Sequence, residues 1–268
     1  MLTILRPLST SELLDRTFHL YKDRFVLFVA IAAIPELFVL GLQVLYANFA
    51  LSSHPSSPGF ASAAISWLDL VCLSISEGAT VIAVSELHLG RRATVASSYR
   101  GMRGSMWRVV WISFAVAAIV GFGFVLLIIP GILWALKYAL AIPVTVIEKT
   151  SLGDTTNRSS ELTKGSRGRI FVVFLLVTLF GFIVSEAIDF AINRTVPWHI
   201  ETAFTAAKFV LEGVSGFLTN SLVGPLLTIA LTLLYYDERV RKEGFDLQLM
   251  MANLESAAAL GTAVVSAT

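Results

Sequence analysis

Charge is what this chain has least of. Only 15% of its 268 residues are Asp, Glu, Lys or Arg, against about 25% in a soluble domain. With 56% apolar residues and a mean hydropathy of +0.76, the composition points away from a soluble globular fold. Cysteine is nearly missing too. Cys72 stands alone, which excludes an internal disulfide and leaves the redox compartment open. No cleavable signal peptide is expected, because the first 24 residues are charged throughout and lack an apolar core.

What the chain has instead is long apolar runs. Residues 109–135 contain no Asp, Glu, Arg or Lys. At about 1.5 Å per residue, a helix over residues 109–129 crosses about 30 Å of hydrocarbon. Pro130-Gly131 reads as a turn where such a helix emerges. Residues 131–147 then return as a second, shorter span. Lipid offers no hydrogen-bond partners, so the backbone must bond to itself as helix. The same logic gives spans at about 25–51, 60–89, 170–192 and 202–236. The expected fold is all-α: a polytopic membrane protein with six transmembrane helices over residues 25–236. Gly224-Pro225 is expected to kink the last span.

Residues 1–24 precede the first span. Ser9 and Glu12 form a capping-box pattern that marks a helix start. Leu13, Leu14, Phe18 and Tyr21 fall near one face and Asp15, Arg16, His19, Lys22 and Asp23 near the other. Such a helix suits the membrane interface. Residues 237–268 form a charged tail.

Seventeen of the 20 Lys and Arg lie in one set of loops. The opposite loops hold only Arg194 and Lys208, and Lys137 sits inside a span. The positive-inside bias therefore puts both termini in the cytoplasm.

Residues 8–35, 93–121 and 152–181 share a plan. Each is an amphipathic stretch, then a basic residue (Arg24, Arg108, Arg169), then a span. Arg16 and Arg158, Leu20 and Leu162, and Lys22 and Lys164 occupy equivalent places. Three units of interfacial helix plus hairpin account for six spans.

Three stretches narrow the field. They are RPLSTSELLDRTFHLY at the start, LWALKYALAIPVTVIEKTSLGDTTNRSSELTKG after Pro130-Gly131, and LYYDERVRKEGFDLQL over residues 234–249. Together they resemble the membrane domain of bacterial glycerophosphoryl diester phosphodiesterases and its stand-alone relatives. The resemblance implies a six-helix integral domain of a bacterial inner membrane. That family's chemistry belongs to a separate soluble barrel with paired carboxylates, a metal and histidines. Only about 20 residues follow the tail motif here, whereas an α/β barrel needs about 250. The expectation is a membrane domain without that activity.

Catalytic signatures are scarce. By the topology above, His19 and His88 face one side and His54 and His199 the other. Glu86 and His88 are two apart, so they do not share a helix face. Gly165-Ser-Arg-Gly168 lacks the spacing of a phosphate loop. No enzyme activity, cofactor or metal is expected. The informative polar residues are those inside the spans: Glu36, Asp69, Glu77, Lys137 and also Asp189. A charge at the bilayer centre is costly and is normally paired or turned inward. Counted along the helices, Lys137 and Asp69 lie at matching depths, and Lys137 is expected to pair with Asp69 or Glu36. In the tail motif, Tyr236 marks the water boundary. Asp237–Arg241, Glu238–Lys242 and Arg239–Glu243 are spaced to support a helix leaving the last span. Gly244 ends it, and Asp246 starts a further short helix. These charges either form a solvated extension or lock onto the basic helices.

Three function classes compete: a non-catalytic, lipid-interacting scaffold or accessory subunit, a lipid or small-solute transporter with a polar intramembrane site around Lys137, and a membrane enzyme acting on phospholipid. The expected partners are membrane lipids, with anionic headgroups at the cytoplasmic face, and other membrane subunits. Nothing points to nucleic acid.

Overall fold

The structure, a computed structural model, describes residues 7–53, 60–195 and 205–244. All regular structure among them is helical. Six helical stretches are long and apolar enough to cross a membrane: Phe25–Phe49, Phe60–His88, Met106–Leu126, Ile128–Glu148, Arg167–Ile192 and Val210–Glu243. The chain is thus a multi-pass membrane protein.

The element order repeats three times. A short helix (α1 Thr10–Asp23, α4 Val95–Met102, α8 Leu152–Thr163) leads into an outgoing span (α2 Phe25–Ser53, α5 Met106–Leu126, α9 Arg167–Thr195). A returning span follows: α3 Phe60–His88, then α6 Ile128–Tyr138 with α7 Ala141–Glu148, then α10 Thr205–Leu222 with α11 Gly224–Glu243. The returning spans are the interior ones. Half of the most apolar window of α3 is buried, against 22% for α5 and for α9. The core gathers Val81 and Val84 of α3, Val144 of α7 and Ile229, Leu233 and Tyr235 of α11. Leu37, Phe38, Phe49, Phe122, Val125, Phe182 and Phe190 stay exposed. Bare apolar surface on that scale suits acyl chains rather than water. The packed core therefore sits toward the end that carries the Lys and Arg, and the opposite half is a lipid-facing sleeve.

Each short helix folds back along a returning span. Leu8 N donates to Asp237 Oδ1 at 2.6 Å, and the Tyr21 hydroxyl donates to the Leu222 carbonyl. Those contacts lie about 20 Å apart along both helices, so α1 follows α11 from end to end. The amphipathic helix expected over this stretch is present, and it is packed on protein along one face. Its apolar face, with Leu13 and Thr17 buried, finds protein before it finds lipid. Similarly, α4 sets Met102 against Gly78 of α3, and α8 carries Ser159 and Thr163 to the Lys137 carbonyl.

These contacts share a purpose. Pro35 interrupts α2; lacking an N–H, it leaves the carbonyl of Ile31 without its helical donor. The Tyr99 hydroxyl of α4 donates to that carbonyl at 2.6 Å. Leu222 and Lys137 lie in the last turns of α10 and α6, where carbonyls again have no intrahelical donor. Tyr21 serves the first, and Ser159 with Thr163 the second. Each short helix thus closes a break in a span. Burial also pushes the Tyr21 hydroxyl up to about 12, so it remains a donor at all ordinary pH. Tyr99→Phe is expected to cost about 1 kcal/mol. In detergent this reads as a melting temperature lower by about 2–4 °C. A melting temperature unchanged in Tyr99→Phe would argue against the closing role.

Two turns differ from expectation. The hairpin turns at Leu127, extended at φ −165°, and not at Pro130-Gly131. Pro130 sits in the first turn of α6, where its missing N–H has no partner to lose. The returning helix also divides at Ala139-Leu140. The kink at Gly224-Pro225 is present, with the break at Val223.

Candidate functional site

Three polar places emerge. The first is the layer of charge at the basic end, built by the tail motif. All three helical pairs form: Arg241 Nε to Asp237 at 2.7 Å, Arg239 Nε to Glu243 at 3.0 Å, and Lys242 Nζ to Glu238 at 3.6 Å. Gly244 ends α11 at φ +60°, a left-handed conformation that glycine adopts freely. The motif also reaches across the bundle. Asp237 is buried and accepts from Arg169 as well as from Leu8 N. Arg169 and Arg241 both donate to the Leu8 carbonyl. Arg158 of α8 bridges Glu148 and Glu243, and Tyr235 donates to Glu148 at 2.8 Å. Lys242 caps the end of α8 through the carbonyls of Glu161, Leu162 and Lys164. The tail motif as far as Gly244 is therefore locked onto the other units rather than solvated. Tyr236 is interior, its ring stacked on His88 at 4.7 Å and its hydroxyl on Ser85. Asp246, His54, His199 and Pro197-Trp198 lie outside the described residues.

The repeat is visible in this layer. Arg108, at the start of one outgoing span, donates to the Lys149 carbonyl just ahead of α8. Arg169, at the start of the next, donates to the Leu8 carbonyl just ahead of α1. Two of the three equivalent arginines thus reach the backbone just ahead of another unit's short helix.

The second place is a cleft of about 730 Å³ between α6, α8 and the start of α9. Lys137, Lys164 and Arg167 line it with Ser160, Leu133 and Trp134. The Arg167 Nε is buried without a hydrogen-bond partner. Lys137 Nζ lies 5.1 Å from the Tyr138 ring centre. This corrects the expected pairing of Lys137. Its backbone sits where α8 ends, and its side chain joins two other cations instead of Asp69 or Glu36.

The third place is inside the membrane. Glu36 of α2 is 3% exposed and meets Asp69 of α3 and Asn220 of α10. Its Oε1 is buried with no hydrogen-bond partner. A cavity of about 170 Å³ opens beside it, lined also by Gln43, Glu212 and Gly213. A Cβ on Gly213 would lie 2.0 Å from the Gln43 Oε1, so glycine is what admits that amide. The two carboxylates were legible as intramembrane charges. Their neighbours left a fainter signal: Glu212, Gly216 and Asn220 recur every four residues along one face of α10. Glu77 is separate. It lines an apolar cavity of about 330 Å³ with Ser113, Phe114 and Tyr138. Asp189 accepts from Ser215, tying α9 to α10.

Among the described residues, no group of three or more His, Cys, Asp or Glu is placed to hold a metal ion. His19 stays on the surface, 3.6 Å from Asp23. No family model, curated protein or solved structure matches the chain.

Proposed function

We propose that the protein is a non-catalytic scaffold or accessory subunit that holds anionic lipid at the cytoplasmic face of a bacterial inner membrane. The observation that carries this reading is the basic cleft. Three cations from three elements converge there, and no acidic side chain lines it. Arg167 keeps a buried donor unused. Trp134 and Leu133 supply an apolar wall beside the charges, as a headgroup with its glycerol and first methylenes requires. Each cation near a phosphate contributes about 1 kcal/mol.

The test uses the full chain in nanodiscs, with bound lipid counted by native mass spectrometry. Wild type is expected to retain phosphatidylglycerol over phosphatidylcholine. Changing Lys137 and Arg167 together to Gln removes about 2 kcal/mol and lowers retention at least tenfold. Undiminished retention would sink the reading. A transporter is the second reading. It now rests on the acidic cavity at Glu36 and not on Lys137, which lies in an open cleft.

A further inference from the structure

We infer that the cavity between α2, α3 and α10 is a binding site for a hard divalent cation, held by the carboxylates of Glu36 and Asp69 with amide oxygens of Asn220 and Gln43. The argument starts from depth. Glu36 lies eleven residues into α2, about 16 Å from its start, and so near the middle of the hydrocarbon. Two carboxylates in contact at that depth need a shared proton or a counter-charge. No cationic side chain lines the cavity. The lysine that depth counting offered is elsewhere, in the basic cleft.

The donor set narrows the ligand. Every polar lining group offers oxygen: two carboxylates that meet each other, a third at the rim from Glu212, and the amides of Gln43 and Asn220. No sulfur or imidazole lines the cavity, which points away from zinc and copper and toward Mg²⁺ or Ca²⁺. Two carboxylates balance one divalent charge. The cavity is also large enough for several waters at about 30 Å³ each. Mg²⁺ in particular keeps much of its water shell and uses one or two carboxylates.

One atom shows that the cavity is a built site and not only an acidic cluster. Glu36 is 3% exposed and lines the cavity, and its Oε1 is buried without a hydrogen-bond partner. A buried acceptor left open is costly unless something fills it. Gly213 and Gly216 keep side chains out of the space.

The experiment takes the full chain in detergent, stripped with EDTA, and follows equilibrium dialysis with ⁴⁵Ca²⁺ and with Mg²⁺ by elemental analysis. One saturable ion per chain is expected, with a melting temperature raised by about 5 °C at saturation. Asp69→Asn is expected to weaken binding at least tenfold, as is Asn220→Ala to a smaller degree. The second variant removes no charge, so it guards against a general loss of folding. Wild type that binds no divalent ion overturns the inference. So does binding that persists undiminished in Asp69→Asn and Glu36→Gln. Stabilisation matched by Na⁺ at equal ionic strength, or by acidification alone, overturns it in favour of a monovalent ion or a shared proton.

Discussion

Asp237→Ala is expected to lower the melting temperature of the detergent-solubilised protein by about 10 °C. Asp237 is buried and joins three parts of the chain: Leu8 ahead of α1, Arg169 of α9, and Arg241 on its own helix. The side chain of Arg169 is 16% exposed, whereas that of Arg241 is 39% exposed. Arg241 can therefore turn to water when its partner goes, but Arg169 cannot. Arg169 keeps the Leu8 carbonyl and Glu238, 3.6 Å away, as partners, so it is left one carboxylate short rather than bare. Breaking such a pair from one side costs about 3 kcal/mol, at about 2–4 °C per kcal/mol in a chain of this size. The double variant Asp237→Leu with Arg169→Met removes both charges, and is expected to be more stable than Asp237→Ala. If Asp237→Ala melts within 2 °C of wild type, the charge layer holds nothing together. If the double variant is worse than the sum of the singles, the stranded-charge explanation is wrong.

The ion pairs along α11 were legible because they are local. A spacing of four residues on a helix fixes which side chains meet, and all three tail pairs form as read. The spans were legible for a similar reason: apolar length is a property of the run itself. The partners of Lys137 and Asp237 were not. Depth counting took residues 131–147 as one helix, yet the helix begins at Ile128 and divides at Ala139-Leu140. Even a correct depth leaves the direction of a side chain around the helix undetermined. Pairing opposite charges also misled. The structure brings together two acids, Glu36 and Asp69, and three bases, Lys137, Lys164 and Arg167. Like-charged groupings of this kind are costly in an isolated bundle. A shared proton or an ion of the opposite sign relieves that cost, whereas an ion pair needs neither.

The threefold plan explains where the sites fall. Interior spans meet at the basic end, where the charge layer and the closed breaks hold them. Toward the other end the outgoing spans turn much of their apolar surface outward. The acidic cavity lies away from that layer, on the face of α2 that meets α3 and α10. Stability is concentrated in one half, which leaves the other free to carry polar groups that do not stabilise it.

At the far end one turn must still close tightly, and that gives the second large effect. A Cβ on Gly123 would lie 2.7 Å from the Trp134 ring and 3.0 Å from the Gly131 Cα. The second contact is backbone, which cannot rotate away. Gly123→Leu therefore has to pry α5 from α6 at Leu127, and is expected to cost about 3 kcal/mol and roughly 6–12 °C. Gly121 is two residues earlier on the same helix and meets nothing within 4 Å. Gly121→Leu adds the same apolar bulk toward lipid and improves helix propensity by about 1 kcal/mol, so it is expected to be neutral or stabilising. Two glycines in one motif thus give opposite signs for one substitution. Equal losses in both variants would mean that bulk near the hairpin, rather than close helix approach, is what the fold rejects.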